Sequence, residues 1–331
     1  MLRVFAVLFA LLKAVTPAFA QEQVRIGIGY GLAFLPLYIC EDQKLVEKYA
    51  RALHLNVRVT YERFLGAGPV QDAMASGRID VGPFGTTPLL MAWDKAKNAN
   101  DKRRQILAVS GMTTLPLTLL SNRPNIRSIA DLRTVDRIAV PTLSSPQVYL
   151  LEMQSEKIFG QYDRLRGQII ELSPTDALTA LIDGNGPVTA YFASPPFTQI
   201  ALKGPRIHQI LNSQQVIGGK ASFLILGATR SYIETHPKIP QAIDQAIDEA
   251  ARLIDDDPRR AAQIYLTHEP SKALDAADIA AVLMANKGEF GSAVAGTQAF
   301  AEFLGKHGEL KTPPRSWKDI VARALLNSPS S

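Results

Sequence analysis

Apolar and polar residues follow a regular pattern over the first third of the chain. Residues 24–28 and 55–61 alternate between apolar and polar positions, which is typical of half-buried strands. The pattern predicts strands at 24–28, 55–61, 79–82 and 106–110, with helices between them at 36–50, 69–76 and 88–96. Strands and helices that alternate in this way favour a largely parallel sheet covered by helices.

The next hundred residues repeat the same style. Strands are predicted at 115–121, 137–140, 168–172, 188–192 and 207–211, and helical segments at 128–132, 146–159, 175–183 and 195–202. The helix at 175–183 stops at Gly184, a residue type common just after a helix end. A second α/β unit is therefore expected.

The pattern changes after an apolar, strand-like segment at 220–228. From Ser231 onward it is helical, with helices predicted at 231–234, 237–255, 258–265, 276–286, 297–307 and 317–326 and no further strands. We therefore predict an α/β protein with a first lobe of residues 21–112 plus 216–331, which includes a helical tail, and a second lobe of residues 113–215. Two crossings between the lobes would form a hinge suited to closure on a ligand.

The first twenty residues resemble a secretory signal peptide. Arg3 precedes an apolar run at 4–12, and Ala18-Phe19-Ala20 fits the small-x-small cleavage rule. The alternative is an uncleaved N-terminal anchor, although Lys13 interrupts the apolar run. No later stretch approaches 18 uninterrupted apolar residues, so no transmembrane helix is predicted. We expect cleavage near Ala20 and a mature protein in the periplasm.

Charge and cysteine content exclude several classes. The 331-residue chain has a net charge of +5, but its basic residues are scattered, so a nucleic-acid partner is not expected. Cys40 is the only cysteine in the sequence and lies in an apolar run. It cannot form an internal disulfide, and no zinc-site spacing is present. We expect it to be a small buried hydrophobic residue.

Four loops share a design in which a strand is followed by small residues and then by a helix that opens on proline. They are 66–69, 85–88, 144–146 and 194–196. Proline in the first turn of a helix costs no hydrogen bond, and the free N–H groups and dipole there favour an anion. Each loop alone could serve only as a helix cap. Two such loops in each lobe instead favour a ligand cleft at the carboxyl ends of the strands.

Aromatic residues are predicted near the same strand ends. They are Tyr30, Phe34, Phe64, Phe84, Tyr149, Phe192, Phe197 and Phe223. Some could stack on a ligand, although most such residues belong to a core. The sequence contains no catalytic constellation: its five histidines are dispersed, and no Gly-x-Ser-x-Gly or Gly-Lys-Ser motif occurs. No catalytic residue, metal site or cofactor is predicted.

Several segments resemble the periplasmic binding proteins of the sulfonate, taurine, nitrate and thiamine-pyrimidine group. The most specific match is residues 73–82, Ala-Met-Ala-Ser-Gly-Arg-Ile-Asp-Val-Gly, followed by Gly85 and Pro88. Further matches lie at 35–39, 45–48, 128–132, 138–141 with Ser144-Ser145, 177–181, and 194–196. Residues 186–190 and 133–136 depart from the family pattern. The likeness covers about 24–265.

The resemblance implies a two-lobed type II periplasmic-binding fold with the ligand between the lobes. It also implies delivery of a small anionic or zwitterionic organic solute, sulfonate- or taurine-like, to an inner-membrane ABC permease and its ATPase. A neutral or aromatic ligand is an alternative, as is an enzyme on the same scaffold of the pyrimidine-precursor or menaquinone-pathway type. Pyrimidine-synthesis relatives use a cysteine-rich segment, which this chain lacks. We expect a monomer.

The strand-end loops and the resemblance together give a set of predicted ligand-binding residues. These are Tyr30, Leu35, Pro36, Gly66, Ala67, Gly68, Gly85, Thr86, Thr87, Thr114, Ser144, Ser145, Gln147, Ser194, Pro195, Phe197 and Phe223.

Overall fold

Ten strands occur in the computed structural model, which describes residues 21–64 and 67–326. In chain order they are β1 (Glu22–Ile28), β2 (Val57–Arg63), β3 (Val81–Gly85), β4 (Ile106–Thr113), β5 (Thr118–Ser121), β6 (Arg137–Val140), β7 (Ile169–Glu171), β8 (Val188–Ala193), β9 (His208–Asn212) and β10 (Leu224–Thr229). The predicted signal peptide and its cleavage site near Ala20 lie outside the described residues.

Helices connect and follow these strands. They are α1 (Leu35–Gln43), α2 (Leu45–Ala52), α3 (Ala67–Ala75), α4 (Thr86–Asn98), α5 (Pro146–Phe159), α6 (Pro174–Asp183), α7 (Phe197–Leu202), α8 (Ser213–Ile217), α9 (Arg230–Thr235), α10 (Ile239–Asp256), α11 (Pro258–His268), α12 (Ala276–Ala285) and α13 (Thr297–Lys306). None of the helices among the described residues combines the length and the apolar character needed to cross a membrane.

The strands form two five-stranded sheets. The first sheet has the order β2-β1-β3-β10-β4, and the second has the order β7-β6-β8-β5-β9. In each sheet four strands share one direction, which confirms the largely parallel pattern, and one strand runs against its two neighbours. The exceptions are β5 and β10, the first strands after each crossing between the sheets. Periodicity gave no sign of their direction, because it reports burial and not pairing partners.

Most predicted elements are confirmed, and β6 and α5 have the predicted bounds. The predicted helix at 36–50 is wrong as a single element, because it breaks at Lys44, whose φ of 51° is left-handed. Lysine gives no warning of this conformation. The break allows α1 to be buried from Leu35 to Cys40 while α2 buries one face only. The short helix α8, which Asn212 caps, was not predicted.

The predicted helix at 317–326 is also wrong. This segment forms two 3₁₀ turns, Trp317–Asp319 and Arg323–Leu325, separated by a bridge between Val321 and Ala108 of β4. A second bridge joins Phe290 to Thr113, so the tail adds short extended contacts that the sequence did not predict. Both bridges satisfy backbone groups at the edge strand of the first sheet.

The helical tail packs mainly on the first sheet and its helices. Helix α10 lies against α1, α2 and β4. Asp94 of α4 fastens the end of the tail, because its carboxylate accepts hydrogen bonds from the Lys311 N–H (3.0 Å), the Thr312 N–H (2.8 Å) and the Thr312 hydroxyl (2.9 Å). Burial alone would raise the pKa of Asp94, but these hydrogen bonds outweigh it and hold the pKa below its usual value.

Replacement of Asp94 by Ala should lower the free energy of unfolding at neutral pH by about 2 kcal/mol, because it removes the buried carboxylate that accepts these part-buried hydrogen bonds. A carboxylate with a lowered pKa stabilises the fold above its unfolded-state pKa and loses that effect as the pH falls through its folded-state pKa. Urea unfolding at pH 7 and pH 3 should therefore show a smaller difference at pH 3. D42A, at an exposed carboxylate of α1, is the control. Equal effects of D94A at both pH values would contradict this assignment.

Candidate functional site

A cavity of about 510 Å³ lies between the two sheets. Its walls follow the carboxyl ends of β1, β2 and β3 in the first sheet and of β6, β7 and β8 in the second. The carboxyl edge of a sheet of parallel strands is the usual place for a ligand. Here the two edges face each other, and the start of β10 closes one side through Phe223 and Leu224.

The walls are mostly rings and small side chains. They comprise Gly29, Tyr30, Ala33, Phe34, Phe64, Pro69, Val70, Pro83, Gly85, Pro88, Phe223 and Leu224 from the side of the first sheet, and Pro141, Thr142, Ser145, Pro146, Gln147, Ser173, Pro174, Tyr191 and Ser194 from the side of the second. Among these described residues none has an acidic, basic or histidine side chain. The cavity therefore suits a ligand with an apolar body and a small polar head.

Two long helices begin at the cavity. Gly85 is the N-cap of α4, and Ser145 is the N-cap of α5. The Ser145 side chain makes no capping hydrogen bond, and its buried hydroxyl has no partner within the described part of the protein. The buried Oε1 atom of Gln147, in the first turn of α5, likewise has no partner there. The first turn of α5 thus combines helix-dipole charge with polar groups free to bind a ligand.

The two sides of the cleft touch. The Leu32 N–H donates to the Pro195 carbonyl (3.2 Å), and the Thr87 hydroxyl donates to the Ser144 carbonyl (2.7 Å). A Cβ atom added at Gly85 would lie 2.9 Å from Cδ of Pro146. Since each contact joins a residue beside the first sheet to one beside the second, the structure shows a closed cleft.

Six of the predicted ligand-binding residues line this cavity. They are Tyr30, Gly85, Ser145, Gln147, Ser194 and Phe223. All four predicted strand-end loops contribute to the walls, the loop at 66–69 through Pro69 and the others through residues of 85–88, 144–146 and 194–196. Gly66 lies outside the described residues, and only the helical backbone of Ala67 and Gly68 is described.

The other predicted residues that the structure describes do not line the cavity. Leu35 and Pro36 are buried in the first turn of α1. The Thr86 hydroxyl donates a hydrogen bond to the Ser222 carbonyl. Thr87, Ser144 and Pro195 form the contacts across the cleft. The ring of Phe197 lies beside Gly31, 3.6 Å from the position that a Cβ atom on that glycine would occupy. Thr114 belongs to a crossing between the sheets, where its hydroxyl lies 2.5 Å from the Glu289 carboxylate.

Sequence reasoning missed part of the wall in the second sheet. Ser173 and Pro174 line the cavity at the start of α6, and they carry the same serine-proline signal used to predict the other loops. Tyr191 lines it from within β8, where the alternating pattern gave no reason to expect a ligand contact. Of the predicted aromatic residues, Phe84, Tyr149 and Phe192 belong to the hydrophobic core.

Cys40 does not belong to the site. It is fully buried in α1, and burial raises the pKa of its thiol well above the usual value, so the thiol stays protonated. No group of three or more potential metal ligands occurs within residues 21–64 and 67–326.

Solved structures resemble this chain over most of its length. The alkanesulfonate-binding protein SsuA from Xanthomonas axonopodis pv. citri, bound to MOPS, is 21% identical with a TM-score of 0.69, over 92% of this chain and 99% of that one. The aliphatic sulphonate binding protein SsuA from Escherichia coli is 17% identical with a TM-score of 0.66, over 91% and 99%. The Candida albicans CA3427 gene product, described as having the generic periplasmic binding protein fold, is 13% identical with a TM-score of 0.65, over 94% and 96%.

No protein-family model matches the sequence, and no curated protein matches it. The likeness to the solved structures therefore concerns three-dimensional structure, and the expected resemblance to sulfonate-binding proteins is confirmed at that level. The chain has the two-lobed α/β fold of the periplasmic binding proteins.

Proposed function

We propose that this protein is a solute-binding receptor that closes two lobes, 21–112 plus 216–331 and 113–215, on a small organic molecule. The observation that carries the proposal is the cavity between the carboxyl edges of the two sheets, with direct contacts across its rim. A cleft of this kind encloses a ligand by domain closure, and its walls come from both lobes. In this function the protein binds and releases its ligand without chemical change.

The partners of the receptor follow from the same proposal. Proteins of similar structure are sulfonate-binding proteins, one of them described as periplasmic. We infer that this chain acts as a monomer in the periplasm after removal of residues 1–20. It would deliver its solute to an inner-membrane ABC permease and the ATPase of that permease.

The cavity favours a sulfonate-like solute with an apolar body. The sulfonate head would lie at the start of α5, where backbone N–H groups, the helix dipole and the Ser145 hydroxyl stabilise negative charge. The body would contact the proline rings and Phe34, Phe64 and Phe223. Taurine fits less well, because its ammonium group would be buried without a carboxylate among the described lining residues.

A neutral aromatic solute is the second candidate. The observation in its favour is that no described residue of the wall has a cationic side chain to pair with an anion. In that case Gln147 and Ser145 would form hydrogen bonds with an uncharged polar group.

Isothermal titration of benzenesulfonate, benzenesulfonamide and taurine separates these candidates. We expect benzenesulfonate to bind at least about tenfold more tightly than taurine, since burial of an unpaired ammonium costs more than about 1.4 kcal/mol. Tighter binding of benzenesulfonamide than of benzenesulfonate would favour the neutral alternative. Absence of binding by these compounds, by hexanesulfonate and by any co-purified molecule would contradict the receptor proposal.

Replacement of Gly85 by Ala tests closure itself. The backbone of Gly85 (φ −65°, ψ 156°) accepts alanine without strain, but the new methyl group would press on Pro146 across the cleft. We expect the free energy of unfolding to change by less than about 0.5 kcal/mol and the affinity for benzenesulfonate to fall about tenfold.

The control for this variant is G186A, at a glycine where an added Cβ meets nothing within 4 Å. It should leave both the stability and the affinity unchanged. Wild-type affinity in G85A would show that the contact between Gly85 and Pro146 does not take part in ligand binding.

A further inference from the structure

The segment from Gly29 to Phe34 connects the first strand to the rim of the cleft. Gly29, Tyr30, Ala33 and Phe34 line the cavity, and the Leu32 N–H donates across the cleft to Pro195. The shape of this segment therefore affects both the ligand wall and the closed contact. We call residues 29–34 the rim segment.

A carboxylate from the tail holds the rim segment. Glu269, which directly follows α11, accepts a hydrogen bond from the Gly31 N–H at 2.7 Å, across 238 positions of sequence. Its other oxygen accepts from the Tyr265 hydroxyl at 3.1 Å. A hydrogen bond from an amide to a carboxylate is roughly twice as strong as one to a neutral acceptor. Gly31 adopts a φ of 104°, so this bond holds a backbone shape that other residues rarely adopt.

Tyr38 of α1 completes the connection. Its hydroxyl contacts the Glu269 carboxylate and lies 2.9 Å from the Gly29 carbonyl oxygen. Burial and the charge of Glu269 raise the pKa of Tyr38, so the hydroxyl remains a donor. The Tyr38 ring is stacked on His268, with centroids 4.7 Å apart and planes 4° apart, and the Arg63 guanidinium lies over it at 4.8 Å. The groups that hold the rim segment are thus themselves fixed.

We propose that Glu269 is a positioning residue for the ligand site, through which the helical tail holds the rim segment in its binding shape. The inference rests on the proposed function, because it assigns the cavity to the solute. Glu269 does not touch the ligand. It acts through Gly31, and its loss should loosen one wall of the cavity and the contact between Leu32 and Pro195 together.

The test compares E269A, E269Q and E249A. Glu249 is the matched control, because it also joins the tail to an N-terminal helix, α2, through a tyrosine hydroxyl, that of Tyr49 at 2.7 Å, but it does not contact the rim segment. The first readout is amide hydrogen exchange of the rim segment in ligand-free protein. The second is the dissociation rate of benzenesulfonate, and the third is the free energy of unfolding by urea.

We expect E269A to speed exchange at Gly31 at least about tenfold and to speed benzenesulfonate dissociation about tenfold, while E249A changes neither. In E269Q both the exchange rate at Gly31 and the dissociation rate should stay close to wild type, because the amide oxygen can still accept a hydrogen bond from the Gly31 N–H. A purely structural role would lower the unfolding free energy without this local effect or this rescue. Unchanged exchange at Gly31 in E269A, or equal changes in E249A, would overturn the proposal.

If E269A does not fold, E269D gives the same test. Its shorter side chain keeps the negative charge but moves the carboxylate away from the Gly31 N–H. Faster exchange in E269D with wild-type exchange in E269Q would support the proposal, and wild-type exchange in both would overturn it. If wild-type protein binds no compound of the panel, the proposed function fails. The hydrogen-exchange measurement on ligand-free protein then still shows whether Glu269 holds the rim segment.

Discussion

The position of the cavity depends on how the chain crosses between its two sheets. Strands β5 and β10 each enter a sheet against the direction of the other four, and each is the first strand after a crossing. The remaining strands of both sheets then present their carboxyl ends to the space between the sheets. Because loops after parallel strands and the starts of the following helices meet at that edge, the residues that line the cavity are brought together from six strands.

The helical tail contacts both sides of the cleft. Glu289, between α12 and α13, lies within 2.5 Å of Thr114 on one crossing and 2.9 Å of Lys220 on the other. Lys306 of α13 pairs with Glu156 of α5 at 3.0 Å, and Glu309 lies 3.3 Å from Arg166. The tail therefore contacts the second lobe and both crossings as well as the first sheet. Ion pairs with an exposed cation are individually weak, so these ion pairs would not prevent the proposed closure of the cleft.

The sequence predicted the local structure well and the long-range contacts poorly. Ser145-Pro146 predicted both the start of α5 and a wall of the cavity, because a serine-proline helix start is a local signal. The same signal at Ser173-Pro174 was present but not used. The break at Lys44 has no local residue signature, and the contact between Gly31 and Glu269 joins residues 238 positions apart. Thr86 was predicted from its place in the strand-end loop at 85–88, which does not show that its hydroxyl is already bound to the Ser222 carbonyl.

A crystal structure of the protein grown with benzenesulfonate would show directly whether the cavity between the sheets is the ligand site. We expect ligand density inside the cavity between Gly85 and Ser145, with the sulfonate at the start of α5, the ring against the proline and phenylalanine walls, and the contact between Leu32 and Pro195 retained. Benzenesulfonate bound on the outer surface, with the cavity unoccupied and the cleft closed as it is here, would show that the cavity is not the ligand site.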